Sequence, residues 1–252
     1  MIQLALELVV LGTAAVLPEA GGESASFLVN RRILVDAGWC SVLHMRGLGY
    51  DPARVSHLLV THFHHDHYLG LPQLLFYLRG QSLTIAGPAE DLQRVASLAM
   101  DLLQPGRFPD AVPSLEFIPL LPGEECHIAG LCVTSCRAIH PVPALSYRLA
   151  DVESEAAVVL SGDTSYNPGL VELAGGCDAL VHEASYGAQA PENNPWGHSG
   201  GAEAGRVAAA ANVRSLRLVH CSMGRAQEAL AAARLHFPEA ALARQGEIIA
   251  VP

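Results

Sequence analysis

The sequence contains no lysine, so all fifteen of its basic residues are arginine. Without lysine the chain cannot form a Schiff base with a cofactor, and it lacks the lysine of a phosphate-binding loop. Set against 25 acidic residues, the arginines leave a formal net charge of −10 at pH 7. Because non-specific binding to nucleic acid or anionic membranes relies on basic residues, this balance argues against both partners.

Long apolar runs are also missing, although half of the residues are hydrophobic. No stretch approaches the ~18 uninterrupted apolar residues that suggest a membrane-spanning helix. The apolar N-terminus has no preceding positive charge and carries Glu7. It therefore predicts a buried first strand over Leu4–Leu11 rather than a secretion signal. We expect no membrane attachment and a cytoplasmic location.

The six cysteines show no Cys-x-x-Cys spacing. We interpret them as ordinary buried thiols in a reducing cytosol, in preference to disulfides or a metal site with cysteine ligands. Cys132 and Cys136 would share one face of a strand.

The 252 residues suffice for one large core, and no linker or repeat divides them, so we predict a single domain over residues 1–252. Period-2 patterns and turn residues predict further strands at Ser26–Asn30, Arg31–Asp36, His57–Thr61, Leu115–Leu120, Glu124–Ala129, Leu131–Ala138, Leu145–Ala150, Ala156–Ser161, Ala179–His182, Leu216–Val219, Ala240–Ala243 and Glu247–Val251. Helical patterns lie at Pro72–Leu78, Pro88–Leu103, Gly201–Ala211 and Ala226–Leu235, with a short helix capped by Asp51. Two β-rich halves, each followed by helices, predict an α/β fold of four layers, an αββα sandwich.

The densest group of metal-ligand side chains directly follows the predicted strand His57–Thr61. Imidazole and carboxylate groups are ligands of zinc and similar ions, and a strand-to-loop corner can direct several of them toward one point. His62 and His64 alternate, so they would face one side and chelate one ion. Asp66 and His67 follow the bend and would face a second ion.

Three more ligand-type residues stand at the ends of predicted strands: His140, Asp163 and His220. Their positions argue against the alternative interpretation of 62–67 as a loop of solvated histidines. Together with the H-x-H-x-D-H run and the motif Val35–Gly38, their order resembles the metallo-β-lactamase superfamily. The resemblance implies that superfamily's αββα sandwich and a hydrolase with two divalent metal ions.

By this resemblance, His62, His64 and His140 would hold one metal, Asp66, His67 and His220 would hold the second, and Asp163 would bridge them. A carboxylate can span two cations ~3.5–4 Å apart, whereas an imidazole cannot. Asp36 and His182 are expected to orient ligand side chains without binding metal themselves. His65 is expected to point away from the neighbouring ligands. Zinc is favoured because nitrogen ligands dominate, while manganese or iron remains open.

Two further motifs resemble those of ribonuclease Z and related phosphodiesterases. Val181–Ser185 is similar to their His-Glu-Ala-Thr motif, and Gly197–Gly201 to their His-Ser-Thr motif. The resemblance implies that Glu183 orients a protonated His198, which protonates the leaving alkoxide or stabilises the charged phosphorane. The alternative is that His198 only caps a helix and Glu183 is a surface carboxylate.

These residues predict a phosphodiesterase for a small or cyclic phosphodiester, attacked by a hydroxide that bridges the metals, with Asp66 counted as both catalytic and ligating. Ser222 and Arg225 are candidate phosphate contacts, although capping and solvation explain them equally well. Ribonuclease Z enzymes of the usual kind carry a tRNA-binding arm between the equivalents of His140 and Asp163. Here two predicted strands fill that interval.

Three other functions remain open at this point. One is tRNA 3′ processing, disfavoured by the missing arm and by the net charge. Another is hydrolysis of a carboxylic ester, lactone or thioester by the same metals, although the proposed pair Glu183 and His198 has no evident role in thioester cleavage. The last is a non-catalytic metal-binding carrier, which would be expected to have lost ligands. A homodimer is also left open. The stretches Leu69–Leu75 and Gln104–Pro113 could line either a substrate pocket or a dimer contact.

Overall fold

The computed structural model describes residues 6–222 and 224–251, and within them fourteen strands make up two sheets. The strands are β1 Leu6–Gly12, β2 Ser26–Val29, β3 Ile33–Val35, β4 His57–Leu59, β5 Ser82–Pro88, β6 Ser114–Leu120, β7 Glu125–Ile128, β8 Leu131–Arg137, β9 Leu145–Asp151, β10 Ala157–Leu160, β11 Ala179–Glu183, β12 Leu216–Val219, β13 Ala241–Leu242 and β14 Ile248–Val251. The helices are α1 Ser41–Gly47, α2 His65–Tyr68, α3 Leu71–Tyr77, α4 Leu92–Asp101, α5 Pro168–Leu173, α6 Gly201–Ala210 and α7 Ala226–Arg234.

Both sheets combine an antiparallel part with a parallel part. The first has the order β14-β1-β2-β3-β4-β5-β6, antiparallel as far as β3 and parallel from β3 onward. The second has the order β13-β12-β11-β10-β9-β8-β7, parallel from β13 to β10 and antiparallel from β10 to β7. Along the chain, an antiparallel part followed by a parallel part thus occurs twice, once in each sheet. The last strand, β14, then joins the first sheet beside β1.

Three apolar cores separate four layers. The central core lies between the two sheets, and an outer core lies between each sheet and its helices. In β1, Leu6 and Leu8 face the central core while Val9 and Leu11 face the outer core. A strand covered on both faces needs apolar residues at nearly every position, which explains why β1 shows little alternation. The predicted αββα sandwich is confirmed.

Most predicted elements are present with shifted ends, but three predictions need correction and several elements were not predicted. The helix predicted from Pro88 begins at Leu92, and the preceding residues form β5, which the sequence patterns did not indicate. Helix α1 was also not predicted, since no side chain caps its N-terminus. Asp51 does cap a helix, accepting Ala53 N–H at 3.0 Å, but the helix is a single 3₁₀ turn. All six cysteines are free thiols, yet only Cys177 is fully buried.

The turn between β2 and β3 is at Asn30-Arg31, as predicted. Both residues have positive φ angles, 47° and 58°, which the tight turn of a hairpin requires. None of the helices in the described residues has the length and apolar character needed to cross a bilayer. The single domain over residues 1–252 stays a prediction.

Candidate dinuclear metal site

The seven predicted metal ligands lie on loops and short segments that follow strands of both sheets. Four come from the segment after β4, and the others follow β8, β10 and β12. The structure brings them together as two neighbouring groups: His62, His64, His140 and Asp163, and Asp66, His67 and His220. The ligand atoms of each group lie within 4.8 Å of one another. An isolated bridge between His62 and Ala144 joins the loops of the two sheets at this point.

The three histidines of the first group stand around a common point. The ring centroids of His62, His64 and His140 are 4.8 Å apart in each of the three pairs. His64 Nδ1 lies 3.0 Å from His140 Nε2, and Asp163 Oδ2 lies 3.6 Å from His62 Nε2. Since a Zn–N bond is ~2.0–2.1 Å, two nitrogens on one tetrahedral ion are roughly 3.3 Å apart. The first group has the spacing of ligands that share one ion.

The second group adjoins the first through Asp163. Asp66 Oδ2 lies 3.3 Å from His220 Nε2 and 3.5 Å from His67 Nε2. Asp163 Oδ2 is 3.4 Å from His67 Nε2, and its Oδ1 is 3.5 Å from His220 Nδ1. Asp163 therefore stands between the two groups, where a carboxylate shared by two cations is expected.

Two buried ring nitrogens in these groups have no hydrogen-bond partner among the described residues, namely His62 Nε2 and His67 Nε2. Leaving a buried polar atom unpaired costs free energy, so such atoms normally bind a hydrogen-bond partner, a water molecule or an ion. A cation in each group would bind one of these lone pairs, and mixed imidazole and carboxylate donors suit zinc, iron or manganese. The donor set fits two divalent metal ions.

Asp36 orients one histidine of each group. Its Oδ2 accepts His67 Nδ1–H at 2.8 Å and the Thr61 hydroxyl at 2.8 Å, and its Oδ1 accepts Thr61 N–H at 2.8 Å. The Thr61 oxygen lies 3.1 Å from His62 Nδ1. Because the hydroxyl proton goes to Asp36, this oxygen accepts from the ring. Both histidines then present Nε2 as a lone pair, the arrangement that metal-binding histidines need.

Ser185 and Gly197 orient the two histidines from the second sheet. Ser185 Oγ donates to the His220 carbonyl at 2.9 Å and lies 2.7 Å from His220 Nδ1, from which it accepts. The carbonyl of Gly197 accepts His140 Nδ1–H at 3.1 Å. Sequence reasoning gave no such role to Ser185 or Thr61, although each adjoins a recognised motif.

Charge within the site favours a cation. Burial lowers the pKa of His62, and the nearby His67 lowers it further. Burial alone would raise the pKa of Asp163, but His220 and His67 outweigh it and hold the pKa of this carboxyl well below its usual range. Burial alone would lower the pKa of His67, yet Asp163 and Asp36 raise it well above its usual value. A metal ion would take the place of the proton that these carboxylates favour.

Glu183 and His198 form a hydrogen-bonded pair beside the ligands. His198 Nδ1 lies 2.9 Å from Glu183 Oε1 and 3.8 Å from Asp163 Oδ2. Glu183 is buried and also accepts the backbone N–H groups of Thr164 and Ser199 at 3.1 and 3.0 Å. Burial alone would lower the pKa of His198, but the hydrogen bond and charge of Glu183, with Asp163, raise it to about 9. Glu183 is therefore not a surface carboxylate, and it holds a cationic imidazole.

A sequence profile described as a beta-lactamase superfamily domain matches residues 31–221. The chain belongs to this superfamily. The crystal structure of the metallo-β-lactamase fold protein YhfI from Bacillus subtilis superposes with a TM-score of 0.84 at 22% identity, covering 97% of this chain and 99% of YhfI. The resemblance seen in the sequence is confirmed, and the fold is that of the metallo-β-lactamases.

Two sequence relatives differ in how much of their length the chain matches. The uncharacterized protein Rv1339 of Mycobacterium tuberculosis is 34% identical over 177 residues, which are 68% of this chain and 63% of the relative. The chain thus spans less than two thirds of that relative. Ribonuclease Z of Haloferax volcanii is 29% identical over 309 residues, covering 96% of this chain and 94% of the relative. The chain therefore matches nearly the whole length of the ribonuclease Z relative but only part of Rv1339.

Two further histidines for which the sequence predicts a position, His65 and His182, lie outside both ligand groups. His65 packs edge-on against Trp39 with ring centroids 5.0 Å apart, which is consistent with its predicted exclusion from the ligands. His182 shares a strand face with Leu180, which packs in the outer core, and it contacts the Glu183 carbonyl through Nδ1 at 2.7 Å. Within the described part of the chain, no hydrogen bond joins His182 to a ligand. The predicted role of His182 in orienting a ligand is therefore not supported by any hydrogen bond among the described residues.

A cavity of ~550 Å³ opens over the two candidate ligand groups. Its wall includes ligands of both groups and His198, together with the aromatic residues Tyr186 and Trp196. The two predicted phosphate contacts, Ser222 and Arg225, also line it. The Ser222 hydroxyl donates to the Ser185 carbonyl at 2.6 Å, and the Arg225 side chain is half-exposed. The cavity thus presents candidate metal ligands, the His198 imidazole and one guanidinium to the same space.

Proposed function

We propose that the protein is a dimetal phosphodiesterase that hydrolyses a small or cyclic phosphodiester. The Glu183–His198 pair carries this proposal. An alkoxide leaving phosphorus is a strong base and must be protonated, which is the work of a positioned acid. His198 stands on the cavity wall with a pKa of about 9, so it is cationic at neutral pH.

The ligand residues would hold two zinc ions, which we favour over manganese or iron because five of the seven ligands are histidines. Two divalent ions held there supply water activated at neutral pH and neutralise the charge of a phosphate. Asp163 would join the two positions. Asp36 and Ser185 keep the rings of His67 and His220 turned toward them.

His198 would act through the nitrogen that Glu183 leaves free. Its Nδ1–H is held by Glu183 Oε1, so Nε2–H remains for the leaving oxygen or for the charged phosphorane. Glu183 cannot turn away, because the N–H groups of Thr164 and Ser199 and of Ser185 also bind its oxygens. Arg225 and Ser222, which line the same cavity, are proposed to contact the phosphate.

The dimensions of the site support a small substrate. The cavity volume of ~550 Å³ is in the range of small-molecule sites. Between His140 and Asp163 the chain forms β9, β10 and a short turn, which leaves no room for a tRNA-binding arm. The net charge of −10 also disfavours a polyanionic partner. Cleavage of tRNA is the second candidate, favoured by the ribonuclease Z relative that covers 96% of this chain.

Parallel assays test the proposal. The metal-loaded protein is offered bis-p-nitrophenyl phosphate, cyclic phosphodiesters, a tRNA precursor, and a panel of lactones and thioesters. We expect hydrolysis of the small phosphodiesters, and His198→Ala should reduce it without changing the metal content. A robust lactone or thioester rate beside background phosphodiesterase activity would overturn the proposal. Fewer than about one tightly bound ion per chain would favour the non-catalytic carrier.

We also propose a cytoplasmic location, supported by six free thiols, which persist in a reducing compartment. Homodimer formation stays a prediction.

A further inference from the structure

The β7–β8 hairpin forms the outer edge of the second sheet. Ile128 pairs with Leu131, so Ala129 and Gly130 alone make the turn, with φ angles of 48° and 89°. Positive φ at both positions matches the two-residue turn whose twist suits the flanking strands. The hairpin is therefore a short and well-defined support for side chains on its outer face.

Three metal-ligand side chains share that outer face. Glu125 and His127 are two residues apart on β7 and so project to one side, and Cys132 pairs directly with His127 across the strands. Their ligand atoms lie within 4.8 Å of one another. Cys126 and Ile128, which alternate with them, pack against the central core instead.

We propose that Glu125, His127 and Cys132 bind one additional divalent metal ion of the zinc class. An imidazole nitrogen, a thiolate and a carboxylate oxygen are all ligands that Zn²⁺ accepts, and three of them leave a fourth position for water. Magnesium and calcium prefer oxygen ligands alone, so the mixed donors select against them.

The surroundings permit this binding. Glu125 and His127 are exposed, so their side chains are free to close the last part of the separation around an ion. Neither forms an ion pair among the described residues.

This site is separate from the dinuclear site. Cys132 and Arg137 lie at opposite parts of β8, ~17 Å apart at 3.4 Å per residue, and the ligand His140 lies beyond Arg137. The dinuclear groups contain histidine and aspartate only. A thiolate–metal signal therefore reports on the hairpin alone, whatever the protein hydrolyses.

Titration of the metal-free full chain with Co²⁺ tests the proposal. We expect two equivalents without sulfur ligation and one further equivalent that brings a thiolate-to-cobalt charge-transfer band in the near ultraviolet. Cys132→Ser should abolish the band, and His127→Ala should weaken binding of that equivalent by about tenfold or more, the usual size of a lost supporting contact or greater. Zn²⁺ should displace the cobalt and remove the band.

Two matched variants keep the result decisive. Cys136→Ser removes a thiol on the same strand face, and His236→Ala removes an exposed histidine elsewhere. Both should retain the band and the third equivalent. The proposal fails if saturating Co²⁺ gives no thiolate band, or if the band survives in Cys132→Ser. Since phosphodiesterase activity is not part of this readout, either result leaves the proposed function untouched.

Discussion

The two ligand groups differ in what holds them. In the group of Asp66, His67 and His220 every member is buried, and a side chain from elsewhere in the fold orients each histidine. In the other group His64 and His140 are only partly buried, and His140 relies on a backbone carbonyl. Supporting hydrogen bonds fix the ring before the metal arrives. We therefore expect the group of Asp66, His67 and His220, called the buried group below, to bind its ion more tightly than the other group does.

Asp163→Ala should have the largest effect, because it removes the carboxylate that lies within 3.6 Å of histidine nitrogens of both groups. We expect kcat to fall ~10⁴-fold or more, as when an essential group is lost, and the metal content to fall in both positions. Metal analysis and assays of the purified variant check this, with Asp151→Ala at the end of β9 as control. Retention of both ions would break the assignment of Asp163 as the shared ligand.

His198→Ala separates the ligand groups from the proton donor. We expect kcat to fall about 10²- to 10³-fold, the usual contribution of general acid catalysis, with both metal ions retained. Steady-state kinetics with metal analysis measure the two quantities. The exposed His236→Ala serves as control. Unchanged kcat on phosphodiesters would remove His198 from the mechanism.

The pH profile should report the charge of His198. Its raised pKa of about 9 means that the ring stays protonated through neutral pH, so activity should be lost as pH rises through that value. Glu183→Gln removes a carboxylate that raises this pKa, and the alkaline limb of kcat should move to lower pH. Activity is measured from pH 6 to 10 in both proteins. An unmoved alkaline limb would mean that another group titrates there.

Ser185→Ala sharpens the comparison between the groups. The hydroxyl orients His220 only, so we expect metal affinity of the buried group to fall ~10- to 100-fold while the other group keeps its ion. Timed removal of metal by a chelator measures the order of loss. In the wild type the group of His62, His64, His140 and Asp163 should lose its ion first. In Ser185→Ala the difference between the rates at which the two groups lose their ions should shrink. Equal loss from both groups in the wild type would contradict the comparison.

Arg225→Ala should have the smallest effect. The side chain is half-exposed and paired with Glu228 at 3.2 Å, and exposed charges contribute little. We expect KM to rise about twofold to fivefold with kcat unchanged. Glu228→Gln is the matched control, and a large fall in kcat would place Arg225 at the reacting atoms.

The convergence of the seven candidate ligands was predictable because each follows a strand in a recognisable order, as with His62 after β4 and Asp163 after β10. The residues that orient them were not. Thr61 meets Asp36 across 25 positions and Ser185 meets His220 across 35, and no local pattern encodes such proximity.

Other features depend equally on tertiary contacts. The buried Glu23 accepts the Cys40 N–H and a hydrogen bond from Ser24, whose hydroxyl also lies 2.7 Å from the Asp66 carbonyl. Nothing near Glu23 in the sequence distinguishes it from a loop carboxylate. Strand β5 escaped prediction although it has seven residues, because it lies between two helices and its last residue, Pro88, is typical of a helix start.

The repeated strand succession described for the two sheets divides the ligands in an instructive way. The first half of the chain supplies His62, His64, Asp66 and His67, and the second supplies His140, Asp163 and His220. Neither half contains a complete set for either ion. The ions would act as cross-links between the halves, in addition to the β1–β14 pairing and the central core that already join them. A chain nicked at the turn between β6 and β7 should therefore unfold at a lower temperature when stripped of metal than when loaded.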